Sequence, residues 1–326
     1  MLKRIFIGFL GLIVVAVLVL AIGLFWAHRS IRQERPPLPT PESVVAAARG
    51  DDLPVRLRII NTASQKMPRA AVLETRDDPH PSNSYVMSHP SFVLEWSDGR
   101  ILLVDVGMTR EGAIEFGRLI ERLSGGAAMQ PHGAAAEQLN QAAARIQGIL
   151  FTHLHTDHVG GLASLCAATG HPVRVFMTEA QATRTNYTTR PGMRLITDAD
   201  CAQRQPLAGD QLLLPVPGFP GVFVIDAGGH TPGSQAIVAH VQGTNGVSSY
   251  VMVGDIVNNV DGITFDVPKP WLYRLLVVPE DDERQSELRR YLRRLRDQYA
   301  ITPLVSHDQL SLEASGIPAW SATSDP

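Results

Sequence analysis

The longest hydrophobic stretch of the chain comes first: Ile5 to Ala27 is an unbroken run of 23 uncharged residues. At about 1.5 Å per residue, a helix of that length crosses a bilayer core of roughly 30 Å. Secretory signal peptides carry shorter apolar stretches, of about 7–15 residues, and end in a small-residue cleavage site. No good site of that kind follows here, so the pattern predicts an uncleaved N-terminal anchor over residues 1–28. Lys3 and Arg4 flank one end and Arg29, Arg32 and Arg35 the other, so the count of positive charges does not orient it. A short charged start before one long span is like an export-type signal anchor. That placement puts the bulk of the chain in the periplasm, on a bacterial inner membrane. Four prolines in RQERPPLPTPES then predict an extended linker over residues 29–54.

From Val55 onward, short apolar runs alternate with helical periodicity. SFVLEW and RILLVDVG, joined through Ser97-Asp98-Gly99, predict a β-hairpin, because an Asp-Gly pair between alternating strands is a strong turn signal. MTREGAIEFGRLIERL has the spacing of an amphipathic helix, and SGGAAMQPHGAAAEQLNQAAARIQ reads as loop then helix. GILFTHLH is a strand, GLASLCAAT begins a helix, and PVRVFMT, LLLPVPG, VFVIDA, QAIVAHVQG, SYVMVGD and ITPLVSH are further strands. Strands mixed with helices, with paired hairpins in each half, predict an α/β domain over residues 55–326: two sheets packed face to face with helices outside.

Charge narrows the partners. Residues 51–326 hold 23 basic and 30 acidic side chains, a net of −7, with no basic block, which argues against a nucleic-acid partner. The arginines of Glu280–Tyr299 alternate with acids over a Leu/Tyr stripe, as in a solvated amphipathic helix. The two cysteines, Cys166 and Cys201, are too few for a disulfide framework; they form one bridge or remain as two buried thiols.

The chemistry concentrates in FTHLHTDHVGG, residues 151–161. His153 and His155 are two apart on a chain leaving a strand, so their side chains fall on one side of the backbone. Asp157 and His158 follow where Gly160 and Gly161 let the chain turn into a helix. Imidazole and carboxylate donors without thiolates suit zinc, with iron or manganese as alternatives. The other histidines of interest also follow apolar strands: His230 in DAGGHTPGSQAI and His307 in LVSHD, joined by Asp255 in SYVMVGDIV and Asp105 in LVDVG. His80, His89, His132, His171 and His240 have no such company and are expected in turns or at the surface.

This set of five signatures, in this order over roughly residues 55–310, resembles the metallo-β-lactamase-fold hydrolases. The resemblance implies a four-layer αβ/βα sandwich and two divalent metal ions. One ion would be held by His153, His155 and His230, the second by Asp157, His158 and His307, with Asp255 bridging them. Asp105 would accept a hydrogen bond from a ligand histidine. Two ions about 3.5–4 Å apart share a water and lower its pKa toward about 7, which makes a bridging hydroxide available at neutral pH. Asp157 would pass a proton to the leaving group. The implied reaction is hydrolysis of an ester or lactone in a small molecule.

Departures from family patterns refine this. The β-lactamases have Cys or Ser where this chain has Asp255. Quorum-quenching lactonases have a tyrosine a few residues beyond the bridging aspartate, where this chain reads Ile256-Val257-Asn258-Asn259; either asparagine can donate a hydrogen bond. A thioesterase of the glyoxalase II type is the alternative, although the tail SLEASGIPAWSATSDP has no counterpart of that group's basic and tyrosine residues. Flavodiiron proteins carry Glu at the position of His155. The competing class is a membrane-anchored binding protein with a structural metal site, but degenerate scaffolds lose ligands and this chain keeps them all. ATRTNYTTRPGMR and ITFDVPKPWLYRLLV are expected to shape a pocket, with Trp271 and Tyr273 equally compatible with plain core packing.

Overall fold

The computed structural model describes residues 2–321; the last five residues of the tail lie outside the described residues. A helix at Leu2–Arg32 opens the chain, and its Phe6–Arg32 portion is long and apolar enough to cross a membrane. Phe6, Leu12, Leu20 and Trp26 along it are all 60% exposed or more, whereas Ala27 and Ile31 near its end are buried against the domain.

The stretch expected as an extended linker is laced to that domain. Its prolines do keep residues 34–40 out of a helix, but the extended backbone finds partners instead of water. Gly233 N donates to Glu34 Oε1 (2.6 Å), Arg284 Nη2 donates to the Pro36 carbonyl (2.7 Å), and Arg35 pairs with Asp281 (2.5 Å). Pro41 then opens a short helix, Pro41–Ala46, where its missing N–H costs nothing. The Thr40 hydroxyl caps that helix, and it buries Val44 completely.

Two sheets follow. The first holds β1 (Arg56–Met67), β2 (Tyr85–Glu95), β3 (Ile101–Val104), β4 (Gln130–Pro131), β5 (Ile146–Leu150), β6 (Val173–Thr178) and β7 (Ala202–Leu207), in the order β4-β1-β2-β3-β5-β6-β7. The second holds β8 (Leu214–Pro215), β9 (Val222–Asp226), β10 (Gln235–Gly243), β11 (Gly246–Met252) and β12 (Ile301–Leu304), in the order β12-β11-β10-β9-β8. The hairpin around Asp98-Gly99 pairs Phe92 with Val104 and Glu95 with Ile101.

One apolar cluster, including Phe92, Leu102, Leu150, Val224, Ile237 and Met252, joins the facing sides of both sheets. A second covers the outer face of the first sheet with helices at Ala135–Leu139, Leu162–Thr169 and Arg190–Asp198. A third covers the outer face of the second sheet with Pro41–Ala46, Val260–Phe265 and Asp282–Tyr299. The layers therefore run helix, sheet, sheet, helix.

Three local expectations shift. LLLPVPG yields only a two-residue strand, since Pro215 and Pro217 cannot donate to a ladder. SGGAAMQ contributes the start of an edge strand, β4. β7, an exposed edge of polar residues, carried no hydrophobic signal. Cys166 and Cys201 form a disulfide that ties the helix Leu162–Thr169 to the start of β7. At a sequence separation of 35, closing that loop restricts the unfolded chain by roughly 3–4 kcal/mol.

Burial pushes the Glu34 carboxyl up to about 7, against the Gly233 N–H that favours its charged form. Such an acid stabilises the fold fully below its ordinary value and loses that contribution as pH rises through about 7. Between pH 4.5 and pH 8 the native chain should lose up to about 3 kcal/mol more than Glu34→Gln, read by denaturant melts in detergent. Parallel pH dependences for the two proteins would contradict this.

Candidate metal centre

The strand directions bring the polar residues together. β3, β5 and β6 run parallel, as do β11 and β12, while β10 is antiparallel to both β9 and β11. The C-terminal ends of β3, β5, β9, β11 and β12 therefore open on one edge of the sandwich. Asp105 follows β3, the 153–158 cluster follows β5, His230 follows β9, Asp255 follows β11 and His307 follows β12. Backbone just past a strand end is free of ladder bonds, so its side chains can turn inward toward a common point.

His153, His155, His230 and Asp255 place one nitrogen or oxygen each within 4.8 Å of one another, as do His158, Asp255 and His307. Asp255 lies between the two groups. Its Oδ2 is 3.7 Å from His153 Nε2 and 3.6 Å from His230 Nε2, and its Oδ1 is 3.3 Å from His158 Nε2 and 3.0 Å from His307 Nε2. Asp157 Oδ2 stands 3.4 Å from His307 Nε2 and 3.7 Å from His158 Nε2. Asp105 Oδ2 is 2.8 Å from His158 Nδ1, and the same carboxylate accepts from the amide and hydroxyl of Thr152, both at 2.8 Å. All seven cluster residues and Asp105 come to one place.

The family model of the metallo-beta-lactamase superfamily matches residues 78–307. The chain belongs to this superfamily. No curated protein matches its sequence. Among solved structures it is similar to an N-acyl homoserine lactone hydrolase with N-hexanoyl-L-homoserine at its catalytic metal center. The identity is 16%, covering 80% of this chain and 96% of that one, with a TM-score of 0.56. A quorum-quenching N-acyl homoserine lactone lactonase is similar at 17% identity, 80% and 95% coverage and a TM-score of 0.56. A B. thuringiensis AiiA variant with N-decanoyl-L-homoserine at its active site gives 16%, 80%, 96% and 0.56. At these identities the likeness is one of fold.

In this superfamily member the donor set is buried and incompletely paired. His155 Nε2, His158 Nε2, His230 Nε2 and Asp255 Oδ1 are buried without a hydrogen-bond partner. Buried polar atoms that lack partners are costly, and here they converge on shared points between imidazoles and carboxylates. That arrangement fits divalent cations, which take such donors in place of protons.

Electrostatics divide the histidines. Burial, and then the neighbouring His158, holds His153 well below its ordinary range; burial brings His155 down to about 3, and burial with the Lys269 ammonium lowers His230. Each of these shifts favours the neutral imidazole, the form that ligates metal. Burial opposes charge on His158 and His307 too, but the carboxylates of Asp105, Asp157 and Asp255 around His158, and of Asp255 and Asp157 around His307, raise both. Asp255 is held well below the carboxylate range by His307, His153 and His158, against the cost of burial.

Three further buried residues gave no reliable sequence signal, two of them, His89 and Glu280, in contact with the centre. His89, expected in a turn or at the surface, is 1% exposed on β2, with Nδ1 3.3 Å from Asp157 Oδ2 and its ring edge-on to His307. His240, likewise expected outside, is buried on β10, where Nδ1 meets Ser249 Oγ at 2.8 Å. Both lie on strands whose two faces are covered, so no alternation marks them as core. Glu280, read as the start of a solvated helix, is buried beside it: the helix runs Asp282–Tyr299, and Glu280 Oε1 is 2.6 Å from His230 Nδ1. The same oxygen accepts from Lys269 Nζ at 2.6 Å, and Lys269 also donates to the Asp255 carbonyl. A buried lysine thus ties the His230 and Asp255 loops together.

Gly160 and Gly161 matter for another reason than the sharp turn suggested. Both have ordinary negative φ. A Cβ on Gly161 would sit 2.6 Å from the Val106 carbonyl oxygen, because its N–H donates to Gly107 O across the close contact between the Asp105 and His158 loops.

The centre floors a cavity of about 670 Å³. His155, Asp157, Asp255 and His307 line its base, and Met67, Met87, Phe116, Leu119, Leu276 and Val277 line its walls. Both expected pocket segments reach it: Thr188 from residues 182–194, and Leu272 and Tyr273 from residues 263–277. Trp271 is instead 56% exposed. Of the two asparagines beyond Asp255, Asn258 lines the wall, while Asn259 is taken up in capping Asp261 N and donating to Asp308.

Removing Glu280 would leave the Lys269 charge buried and unpaired. Glu280→Ala should lower stability by about 3–5 kcal/mol in denaturant melts, with Glu280→Gln losing less. A loss within error for Glu280→Ala would show that the network is not compensating that charge.

Proposed function

We propose that the chain is a binuclear metal-dependent hydrolase that cleaves an ester or lactone bond of a small molecule. The observation that carries this reading is the cavity: its floor gathers His155, Asp157, Asp255 and His307, and its walls are apolar. A hydrolytic site needs charged groups where the bond reacts and a shaped, water-poor space for the rest of the substrate.

In this reading His153, His155 and His230 would hold one ion and Asp157, His158 and His307 a second, with Asp255 available to both. Zinc suits these ligands, and manganese or iron(II) would also be accepted. Such a pair of ions lowers the pKa of a water toward about 7 and polarises a substrate carbonyl.

The remaining work belongs to the chain. Asp105 at His158, Glu280 at His230 and the Ser88 carbonyl at His307 (2.7 Å) each engage Nδ1, which leaves Nε2 aimed into the centre. Asp157, a carboxylate on the cavity floor, takes the proton that the attacking water gives up and passes it to the leaving oxygen as the acyl–oxygen bond breaks, so that water and ester become acid and alcohol. Asn258, on the wall, is placed to orient a polar group of the substrate. Asp255 stands where the superfamily's β-lactamases carry Cys or Ser, which weighs against a β-lactam. The Cys166–Cys201 disulfide supports a domain facing an oxidising compartment, in keeping with a periplasmic, membrane-anchored enzyme.

The test is a panel of aryl esters, lactones, a glutathione thioester, a β-lactam and a phosphodiester, given to the full chain in detergent with zinc or manganese. Turnover should concentrate on esters or lactones. Asp255→Ala should lose about three orders of magnitude in kcat/KM together with bound metal. Full activity and two metals per chain in Asp255→Ala would overturn the reading, and selective thioester cleavage would move it to the alternative.

A further inference from the structure

We infer that the rim of this cavity, Trp271 to Val277, lies in the surface of the bilayer that receives the N-terminal helix, so that the site draws its substrate from the lipid phase. The substrate half of this rests on the hydrolase reading; the placement does not.

Five of the seven rim residues are large, apolar and exposed: Trp271 56%, Leu272 50%, Leu275 42%, Leu276 49% and Val277 49%. They form a helical turn, with Tyr273–Val277 in π-helical geometry. Beside them Tyr187, itself 46% exposed, donates its hydroxyl to the carbonyls of Leu276 (3.4 Å) and Val277 (3.2 Å). Single exposed apolar side chains are ordinary on a soluble surface, but a contiguous patch marks an interaction site. A tryptophan and a tyrosine at the patch suit the depth at which an apolar ring body meets polar headgroups.

The identity of the covering surface follows from where the patch sits. His28 Nε2 lies 3.1 Å from the Leu275 carbonyl. His28 is the first residue after the 23-residue apolar run, whose exposed side chains include Phe25 (62%) and Trp26 (60%). The rim is therefore held at the level where the helix leaves its apolar stretch. If the helix spans a bilayer, the rim cannot stand more than a side chain's reach from the headgroups. A lipid surface is the one apolar partner that the chain itself brings to this point. Val247, at the turn between β10 and β11, is exposed among glycine and serine in its own strand turn.

The rim also has an inner side. Leu272, Leu276 and Val277 line the cavity as well as being exposed, and Leu119 (62% exposed) joins them from the facing helix Arg110–Ser124. Seating this turn in the headgroup and acyl boundary, about 5–10 Å deep as for interfacial helices, opens an apolar path from bilayer to Asp157 and Asp255. The substrate class is then an ester or lactone with a hydrocarbon tail, dissolved in the membrane and presenting its carbonyl at the floor.

The test uses the full chain in phosphatidylcholine vesicles. Both native cysteines are bonded to each other, so Leu275→Cys offers a single thiol for the fluorophore NBD, with Trp271→Cys as a second site and Val247→Cys as control. Neither Trp271 nor Leu275 lines the cavity. NBD at 275 and 271 should emit to the blue of NBD at 247 and be quenched by doxyl-labelled lipid. Water-like emission at both rim sites overturns the inference. A blue shift without lipid quenching also overturns it, by showing that protein, such as a second copy of the chain, covers the rim. In parallel, the double variant Trp271→Ser/Leu275→Ser should keep its rate on a short, soluble aryl ester and lose about tenfold on a long-chain aryl ester dissolved in vesicles. Equal rates on the vesicle-borne ester would overturn the substrate half. Quenching without turnover of either ester would remove the hydrolase reading while upholding the placement.

Discussion

The constraint on which the molecule depends is the burial of Asp105, Asp157 and Asp255 among imidazoles at one edge of the sandwich. An ionised carboxylate taken out of water is affordable only when positive or hydrogen-bonding groups surround it closely. Each loop at that edge therefore supplies a partner for its neighbour's charge. Thr152 serves Asp105 through amide and hydroxyl, and Asp105, held at φ 58°, serves His158. Lys269 and Glu280 neutralise each other while touching the His230 and Asp255 loops. The close contact at Gly161 follows from the same requirement, since the loops after β3 and β5 must approach within hydrogen-bond distance.

The sandwich exists to hold that edge. Two sheets whose strands end on the same side deliver five short loops to a single point, and the apolar cluster between the sheets fixes their relative height. The disulfide and the N-terminal segment act elsewhere: one braces the outer helix against β7, and the other stitches residues 27–46 to the loops that carry Gly233 and Asp281. Through Gly233 the segment next to the apolar helix touches the loop bearing His230, so that segment and the centre are mechanically close.

Much of this was legible in the sequence because the governing signals are local. The turn at Asp98-Gly99, the apolar strand before His153 and the helix from Arg110 all follow from periodicity and capping over a few residues. The eight residues expected to form the centre each follow a strand end, which is the local signal that set them apart. His89 and Glu280 were not: a histidine on a strand covered on both faces and an acid one turn before a charged helix look the same whether buried or solvated. The contacts made by residues 29–54 were not legible for a related reason. Proline content reports that a segment is not helical, and says nothing of whether the groups it leaves free meet water or the Arg284 guanidinium. Trp271 and Leu275 show the converse: in an apolar run expected to shape a pocket, with core packing equally open for Trp271, both stand exposed.

The account's central claim is that two cations share Asp255. Anomalous diffraction from crystals of the full chain grown with zinc tests it most directly. The account predicts two peaks about 3.5–4 Å apart, one among His153, His155 and His230, the other among Asp157, His158 and His307, with the Asp255 carboxylate between them. A single peak, or a pair that leaves Asp255 unligated, would contradict it.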